Sequence, residues 1–210
     1  AGAGKTTTLR IIAGLEAPSS GEVFIERMDF TKHQPNQRDI AMIFDNLALY
    51  PNKSGYENIA SPLRISRTPK DEINRRVMEM AELMKISHIL ERTPATFSGG
   101  ERQRVALGRA MIREPRFYLL DEPLSSLDFM LRIDLRTELK RLQQESGRTF
   151  LFATPDYTEA LALADTVCVL IEGQVRQIAK AQELYDEPID RDVARFVGNP
   201  PINIVPARLT

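Results

Sequence analysis

Residues 97–104 read FSGGERQR and run straight into VALGRAMI, residues 105–112. Ser98 stands ahead of two glycines and a stretch with the apolar spacing of a helix. A serine and two glycines at a helix start expose a hydroxyl and bare backbone N–H groups, which suits them to hold an anion. Further along, Leu124-Ser125-Ser126-Leu127-Asp128 follows the run Phe117-Tyr118-Leu119-Leu120-Asp121-Glu122-Pro123. Apolar residues ending in an acid fit a central strand that delivers a carboxylate to its C-terminal tip, where α/β sheets bind ligands. There Asp121 is placed to hold a magnesium ion, directly or through water, and Glu122 to polarise an attacking water.

The chain opens as AGAGKTTTLR. Gly2-Ala3-Gly4-Lys5-Thr6-Thr7 reads as the back half of a phosphate-binding loop. Backbone N–H groups and the helix N-terminus would hold phosphate oxygens, Lys5 would reach the β- and γ-phosphates of a nucleotide, and Thr6 would ligate magnesium. Such a loop is fed by a strand, so the sequence reads as a fragment that begins inside a motif. The 210 residues, 42% of them hydrophobic, suffice for a real core, and the net charge of −1 gives no push towards nucleic acid or an anionic membrane. No apolar run has the length of a transmembrane helix and no signal peptide opens the chain, so a soluble intracellular protein is expected. The single cysteine, Cys168, excludes an intrachain disulfide and a multi-cysteine zinc site. Its place in the apolar run TVCVLI predicts a core position.

Strands and helices alternate. KTTTLRIIAGL has helical spacing and stops near Gly14 and Pro18; EVFIE and DIAMIF read as strands around a polar loop, RMDFTKHQPNQR. TPKDEINRRVMEMAELMK sets Ile73, Val77, Met80 and Met84 at helical spacing with a charged outer face. RFYLL reads as a strand, FMLRIDLRTELKRLQQESG as a long amphipathic helix ending at Gly147, and TFLFAT as a strand. TPDYTEALALAD supplies a further helix, then TVCVLI and QVRQIA two more strands. The alternation predicts α/β architecture with a mainly parallel sheet, interrupted by a helical insertion over residues 46–112.

In this order the motifs resemble those of the ATP-binding-cassette (ABC) ATPases, in which the Ser-Gly-Gly stretch is the family signature and Ser-x-Leu-Asp the D-loop. The resemblance covers nearly the whole chain. It implies a P-loop NTPase with a RecA-like parallel core (1–45 and 113–200, lacking its first strands), a helical signature subdomain (46–112) and, over 201–210, the start of a C-terminal β-barrel regulatory domain. It implies ATP and Mg2+ as cofactors. Gly2, Ala3, Gly4, Lys5, Thr6 and Thr7 would hold the nucleotide, and Thr6, Asp121 and Asp45 the metal, with Glu122 catalytic. Ser98, Gly99, Gly100, Glu101 and Asp128 would complete the site of a second ATPase subunit, since in the family two sites form between head-to-tail subunits.

Asn46-Leu47-Ala48-Leu49-Tyr50-Pro51 and Tyr56-Glu57-Asn58-Ile59 look like the segment of import ATPases that touches the membrane subunits. The tail AQELYDEPIDRDVARFVGNPPINIVPARLT is similar to the carbohydrate-importer branch, of the maltose and glycerol-3-phosphate type. The resemblance therefore implies a peripheral subunit on the cytoplasmic face of the membrane, held to permease subunits through residues 46–60 and served indirectly by a solute-binding protein. The solute would be a sugar or a polyol such as glycerol. Nucleic acid is not expected as a partner.

Two positions depart from the family pattern. Where DIAMIF ends the family carries a glutamine that ligates magnesium; here Asp45 follows. Where the family has Thr-His-Asp, with a histidine that contacts the γ-phosphate, this chain has Thr154-Pro155-Asp156, and neither His33 nor His88 is expected to substitute. Proline donates no hydrogen bond, and losing one preorganised donor typically costs about 10²–10³ in rate. Asp45 remains an oxygen ligand but adds negative charge beside the γ-phosphate. The two changes, with Lys5, Asp121 and Glu122 retained, predict a site that binds ATP but hydrolyses it poorly, paired with an unlike ATPase subunit. The retained Glu122 also suits a fully active homodimer in which Asp45 replaces the glutamine. Two other readings stand beside these: a soluble ATPase of translation or DNA repair, and a nucleotide-binding scaffold without turnover.

Overall fold

The computed structural model describes residues 2–125, 127–198 and 203. The chain divides into two compact units, one of residues 9–153 and the other of residues 1–8 with 154–210. The expected start of a C-terminal domain, 201–210, lies outside the described residues apart from Asn203, as does Ser126 of the Leu-Ser-Ser-Leu-Asp stretch.

The unit of residues 9–153 is built on a three-stranded parallel sheet: β3 (Ile40–Ile43), β4 (Phe117–Asp121) and β5 (Thr149–Ala153), in that order. Its register sets Ile43 beside Leu120, and Leu120 beside Phe152. In β4, Tyr118, Leu119, Leu120 and Asp121 are all buried, so the strand shows no alternation, as expected where both faces are covered. Helix α1 (Lys5–Ala13) supplies Leu9 and Ala13 to a core with Ile25, Ile40, Leu119 and Ala153. The helix stops at Gly14, whose φ of +77° is cheap only for glycine. Its last carbonyls are capped by Arg38, 3% exposed, whose guanidinium donates to the Ile11 and Ile12 oxygens at 2.8 Å and to the His33 oxygen at 2.9 Å.

Two sequence expectations are corrected in this unit. EVFIE is a strand only over Phe24–Ile25 (β1), and the segment read as a polar loop turns back into an antiparallel partner, β2 (Met28–Asp29). The connecting Glu26 and Arg27 have φ of +51° and +69°, the backbone of a two-residue hairpin, but neither is the Asn or Gly that announces one.

Between β3 and β4 lie α2 (Gly55–Ile65), α3 (Lys70–Leu83) and α4 (Gly99–Met111), packed on one another around Ile59, Val77, Met84 and Leu107. Ile73, Val77 and Met84 are buried as their spacing predicts, with Ala81 inward as well. Serines that cap the next helix begin two of these elements. Ser54 with Glu57, and Ser98 with Glu101, form reciprocal capping boxes. Helix α5 (Phe129–Ser146) is capped by Asp128 and ends at Gly147 in the left-handed conformation (φ +61°).

In the other unit, α6 (Tyr157–Leu163) precedes an antiparallel pair, β6 (Val167–Ile171) and β7 (Gln174–Ala179), followed by α7 (Ala181–Asp186) and α8 (Arg191–Val197). Val169, Ala179, Leu184, Val193 and Val197 form its core. Cys168 is exposed, not buried: alternation along β6 turns Val169 inward and its neighbour outward. Among the described residues no helix is long and apolar enough to cross a membrane.

Candidate functional site

Two left-handed glycines, Gly2 (φ +79°) and Gly4 (φ +92°), lead into the N-terminus of α1, where Lys5 and Thr6 begin the helix. The Gly4 oxygen accepts from both the backbone N–H and the Oγ1 hydroxyl of Thr8 at 2.9 Å, so the loop is locked onto the first turn. A Cβ at Gly2 would meet nothing within 4 Å, leaving open space beside the loop. Glycines in this conformation ahead of a helix N-terminus fit a phosphate group.

The carboxylates are positioned by the parallel sheet. Asp121, 2% exposed, is the last residue of β4. Glu122 follows in the left-handed region (φ +45°), its N–H donating to the Ala153 oxygen at 2.8 Å, so the backbone turns sharply at the strand tip. Non-glycine residues held there cost on the order of 1–3 kcal/mol and cluster at functional sites. Asp45 lies two residues beyond β3 and is exposed, with its carboxylate accepting from the Asn46 N–H at 2.8 Å. Because Ile43 pairs with Leu120, Asp45, Asp121 and Glu122 leave the sheet along one C-terminal edge. All three offer oxygen, the donor type that magnesium prefers. Among the described residues no three His, Cys, Asp or Glu side chains gather into a ready-made metal cluster, so protein groups alone do not form a closed site.

At the start of α4 the Ser98 hydroxyl accepts from the Glu101 N–H at 3.2 Å, and a Glu101 oxygen accepts from the Ser98 N–H at 2.7 Å. The other Glu101 oxygen lies 3.3 Å from His88 Nε2 and 3.5 Å from a guanidinium nitrogen of Arg92. The Ser98 N–H above all, then the Ser98 hydroxyl and the Arg92 charge, hold the Glu101 carboxyl below its usual range. A carboxylate thus stands at the helix N-terminus beside the two glycines, with Arg92 offsetting its charge. Gly99 faces open space, whereas Gly100 is closed over by Leu131, whose side chain would lie 2.4 Å from a Cβ there. Leu131 is the residue whose N–H the Asp128 carboxylate caps at 3.1 Å, so Ser98, Gly99, Gly100 and Asp128 are brought together where α4 and α5 start.

Thr154-Pro155-Asp156 forms a tight turn. The Thr154 hydroxyl accepts from the Asp156 N–H at 3.1 Å and donates to the buried Glu159 carboxylate at 2.7 Å, while Asp156 caps α6 through the Thr158 N–H at 2.8 Å. Pro155 is exposed and contributes no side-chain donor. His33 is exposed and packs at a tilt against Phe30, ring centroids 4.7 Å apart, and exposed His88 meets Glu101 as above.

The segment 46–60 needs a correction. Asn58 and Ile59 are 0% exposed and face inward. Asn58 accepts from the Tyr50 N–H and donates to the oxygens of Tyr50, Lys53 and Ser54, all within 3.1 Å, so it staples the loop from inside. The surface this segment offers is Asn46, Ala48, Tyr50, Pro51 and Asn52. Sequence reasoning missed Arg92 and both capping boxes. The boxes carry a legible signal, Ser-x-x-Glu ahead of an apolar run.

The family model described as ABC transporter matches residues 1–125. Among curated relatives, the trehalose/maltose import ATP-binding protein MalK of Thermococcus litoralis is 46% identical over 217 residues, covering all of this chain and 58% of the relative. The sn-glycerol-3-phosphate import ATP-binding protein UgpC of Psychromonas ingrahamii is 47% identical over 209 residues, and the Escherichia coli maltose/maltodextrin import ATP-binding protein MalK 46%, each covering all of this chain and 56% of the relative. The chain thus spans somewhat over half the length of these relatives. A solved dimeric ATP-binding cassette in a post-hydrolysis state with ADP and Pi superposes with a TM-score of 0.76 at 28% identity, covering 85% of this chain and 81% of that one. With an α/β architecture of the P-loop NTPase type and a family match over more than half its length, the chain belongs to the ABC transporter family.

Proposed function

We propose that the chain is the ATP-binding part of an importer for a sugar or polyol, binding ATP with magnesium and hydrolysing it at an interface between two ATPase subunits. The observation that carries this reading is the similarity, along the whole of this chain, to sugar and glycerol-3-phosphate import proteins, with an acidic pair at the tip of a buried parallel strand. Gly2, Ala3, Gly4, Lys5, Thr6 and Thr7 hold the phosphates. Thr6, Asp121 and Asp45 hold the magnesium, which when bound neutralises phosphate charge. Glu122 polarises the attacking water. Ser98, Gly99, Gly100, Glu101 and Asp128 contribute to the site of the second subunit. Residues 1–45 and 113–200 form the nucleotide core and 46–112 the signature subdomain, which meets the permease through the exposed part of 46–60. The subunit sits at the cytoplasmic face of the membrane.

Hydrolysis by this subunit's own site is weak, because Asp45 places a second negative charge where the family has an amide and Pro155 supplies no donor. The unlike second ATPase subunit rests on these two residues alone, and the relatives lend it no support. The test is binding of a fluorescent ATP analogue by the full-length protein and by Lys5→Ala, with isolation of membrane subunits from the same preparation. Saturable, magnesium-dependent binding lost in Lys5→Ala, with permease subunits retained, is expected. Equal binding by both proteins, or no membrane subunit recovered, contradicts the reading.

A further inference from the structure

Leu47 and Ala48 are consecutive residues in the left-handed region, with φ of +59° and +44°. L-residues visit this region at a penalty that glycine avoids, and two in succession persist only where the surroundings over-determine them. Within the turn the Leu47 N–H donates to the Phe44 oxygen at 2.9 Å and the Ala48 N–H to the Asn46 oxygen at 2.7 Å, and from outside it one side chain takes the two carbonyls. Arg109, in the last turn of α4, donates to the Ala48 oxygen at 2.8 Å and to the Leu47 oxygen at 2.7 Å, one nitrogen to each. Its guanidinium also lies 5.6 Å from the centroid of the Tyr50 ring, against which the Lys53 ammonium packs at 4.3 Å. Asn58 fixes the backbone of Tyr50 from α2. The exposed turn between Asp45 and Pro51 is therefore held from below by the helix that begins at Ser98.

We infer that Arg109 is a positioning residue: its two-pronged grip on the Leu47 and Ala48 carbonyls sets the turn that engages the permease and ties that turn to the signature helix. The inference rests on the reading of 46–60 as the permease-facing segment. A planar fork can serve two carbonyls at once, and an ammonium cannot reproduce that geometry. Arg109→Lys is therefore an intermediate case and Arg109→Met a full loss.

The experiment uses the full-length protein with its membrane subunits. Hydrogen exchange is measured by mass spectrometry on the wild type, Arg109→Lys, Arg109→Met, and Arg109→Met combined with Ala48→Gly; retention of the permease is scored on the same samples. Loss of two hydrogen bonds from a charged donor is expected to speed exchange at residues 47–50 by about 10²-fold, with α2 and α3 unchanged and permease retention reduced. Glycine at position 48 removes the left-handed penalty and is expected to recover roughly tenfold of that protection, which it would not do if Arg109→Met merely weakened α4. Unchanged exchange at 47–50 in Arg109→Met overturns the inference. Faster exchange with full permease retention overturns instead the docking reading, and leaves the grip on the turn standing.

Discussion

Replacing Asn58 by alanine removes a side chain that touches no group expected to meet nucleotide, yet it is expected to be among the more damaging changes in the helical region. The amide accepts from the Tyr50 N–H at 2.8 Å and donates to the oxygens of Tyr50 at 3.1 Å, Lys53 at 3.0 Å and Ser54 at 3.0 Å. Not all of these are orphaned by the change. The Tyr50 oxygen still accepts from the Lys53 N–H, and the Ser54 oxygen from the Asn58 N–H. The Tyr50 N–H and the Lys53 oxygen are left as the groups at risk. Two such groups, each costing about 1–3 kcal/mol when buried without a partner, put the loss near 3 kcal/mol. For a chain of this size that lowers the midpoint of thermal unfolding by about 6–12 °C. Asn58→Asp keeps the shape and the bond from Tyr50 but turns a donor into an acceptor facing carbonyl oxygens. At neutral pH it is expected to cost more than alanine, and less as acidification protonates the new carboxyl. Urea and thermal unfolding of the three proteins decide the matter. An alanine variant within about 0.5 kcal/mol of wild type, the ordinary effect of a surface change, would refute the inward placement of Asn58.

Arg38→Met keeps the length of the side chain and removes its donors to the Ile11, Ile12 and His33 oxygens, of which the Ile11 oxygen still accepts from the Gly14 N–H, so a stability loss of about 3 kcal/mol is expected in urea unfolding, with only partial recovery in Arg38→Lys. A loss below about 1 kcal/mol would show that solvent can satisfy those carbonyls. Tyr118, buried in β4 with its hydroxyl 3.4 Å from the Met111 oxygen, has its phenol pushed up to about 12, chiefly by desolvation. The folded state favours the neutral phenol, so this contribution is complete below pH 10 and is lost as pH rises from 10 towards 12. Unfolding titrations are expected to show an alkaline loss on the order of 2 kcal/mol that Tyr118→Phe lacks. Identical alkaline limbs would contradict the burial.

Much of the fold could be read directly where one physical signal dominated. FYLLD is apolar throughout because β4 is covered on both faces, and the long helix ends at Gly147 because glycine takes the left-handed backbone there. The acidic pair was legible because a strand tip is where an α/β sheet exposes a carboxylate. What stayed hidden depended on partners distant in sequence. Glu26–Arg27 turns a hairpin without turn residues, and Cys168 lies in an apolar run but on the outward face of β6. Nothing local distinguishes Asn58 from a surface polar residue, since its partners are carbonyls of a loop that folds back over it. Nothing local marks Arg38 or Arg109 either, because their guanidinium groups are spent on backbone oxygens of other elements. Glu101 was read with the signature as a nucleotide contact; its carboxylate also closes the capping box that holds Ser98 in place.

The most direct test of the proposal that this site is weak is steady-state ATP hydrolysis by the full-length protein, measured beside the double variant Asp45→Gln, Pro155→His. Restoring the amide ligand and the missing donor is expected to raise a low rate by about 10²-fold or more, with ATP binding changed far less. A robust rate in the unaltered protein, with no gain in the variant, would contradict the weak-site reading and leave Pro155 as the residue that separates β5 from α6.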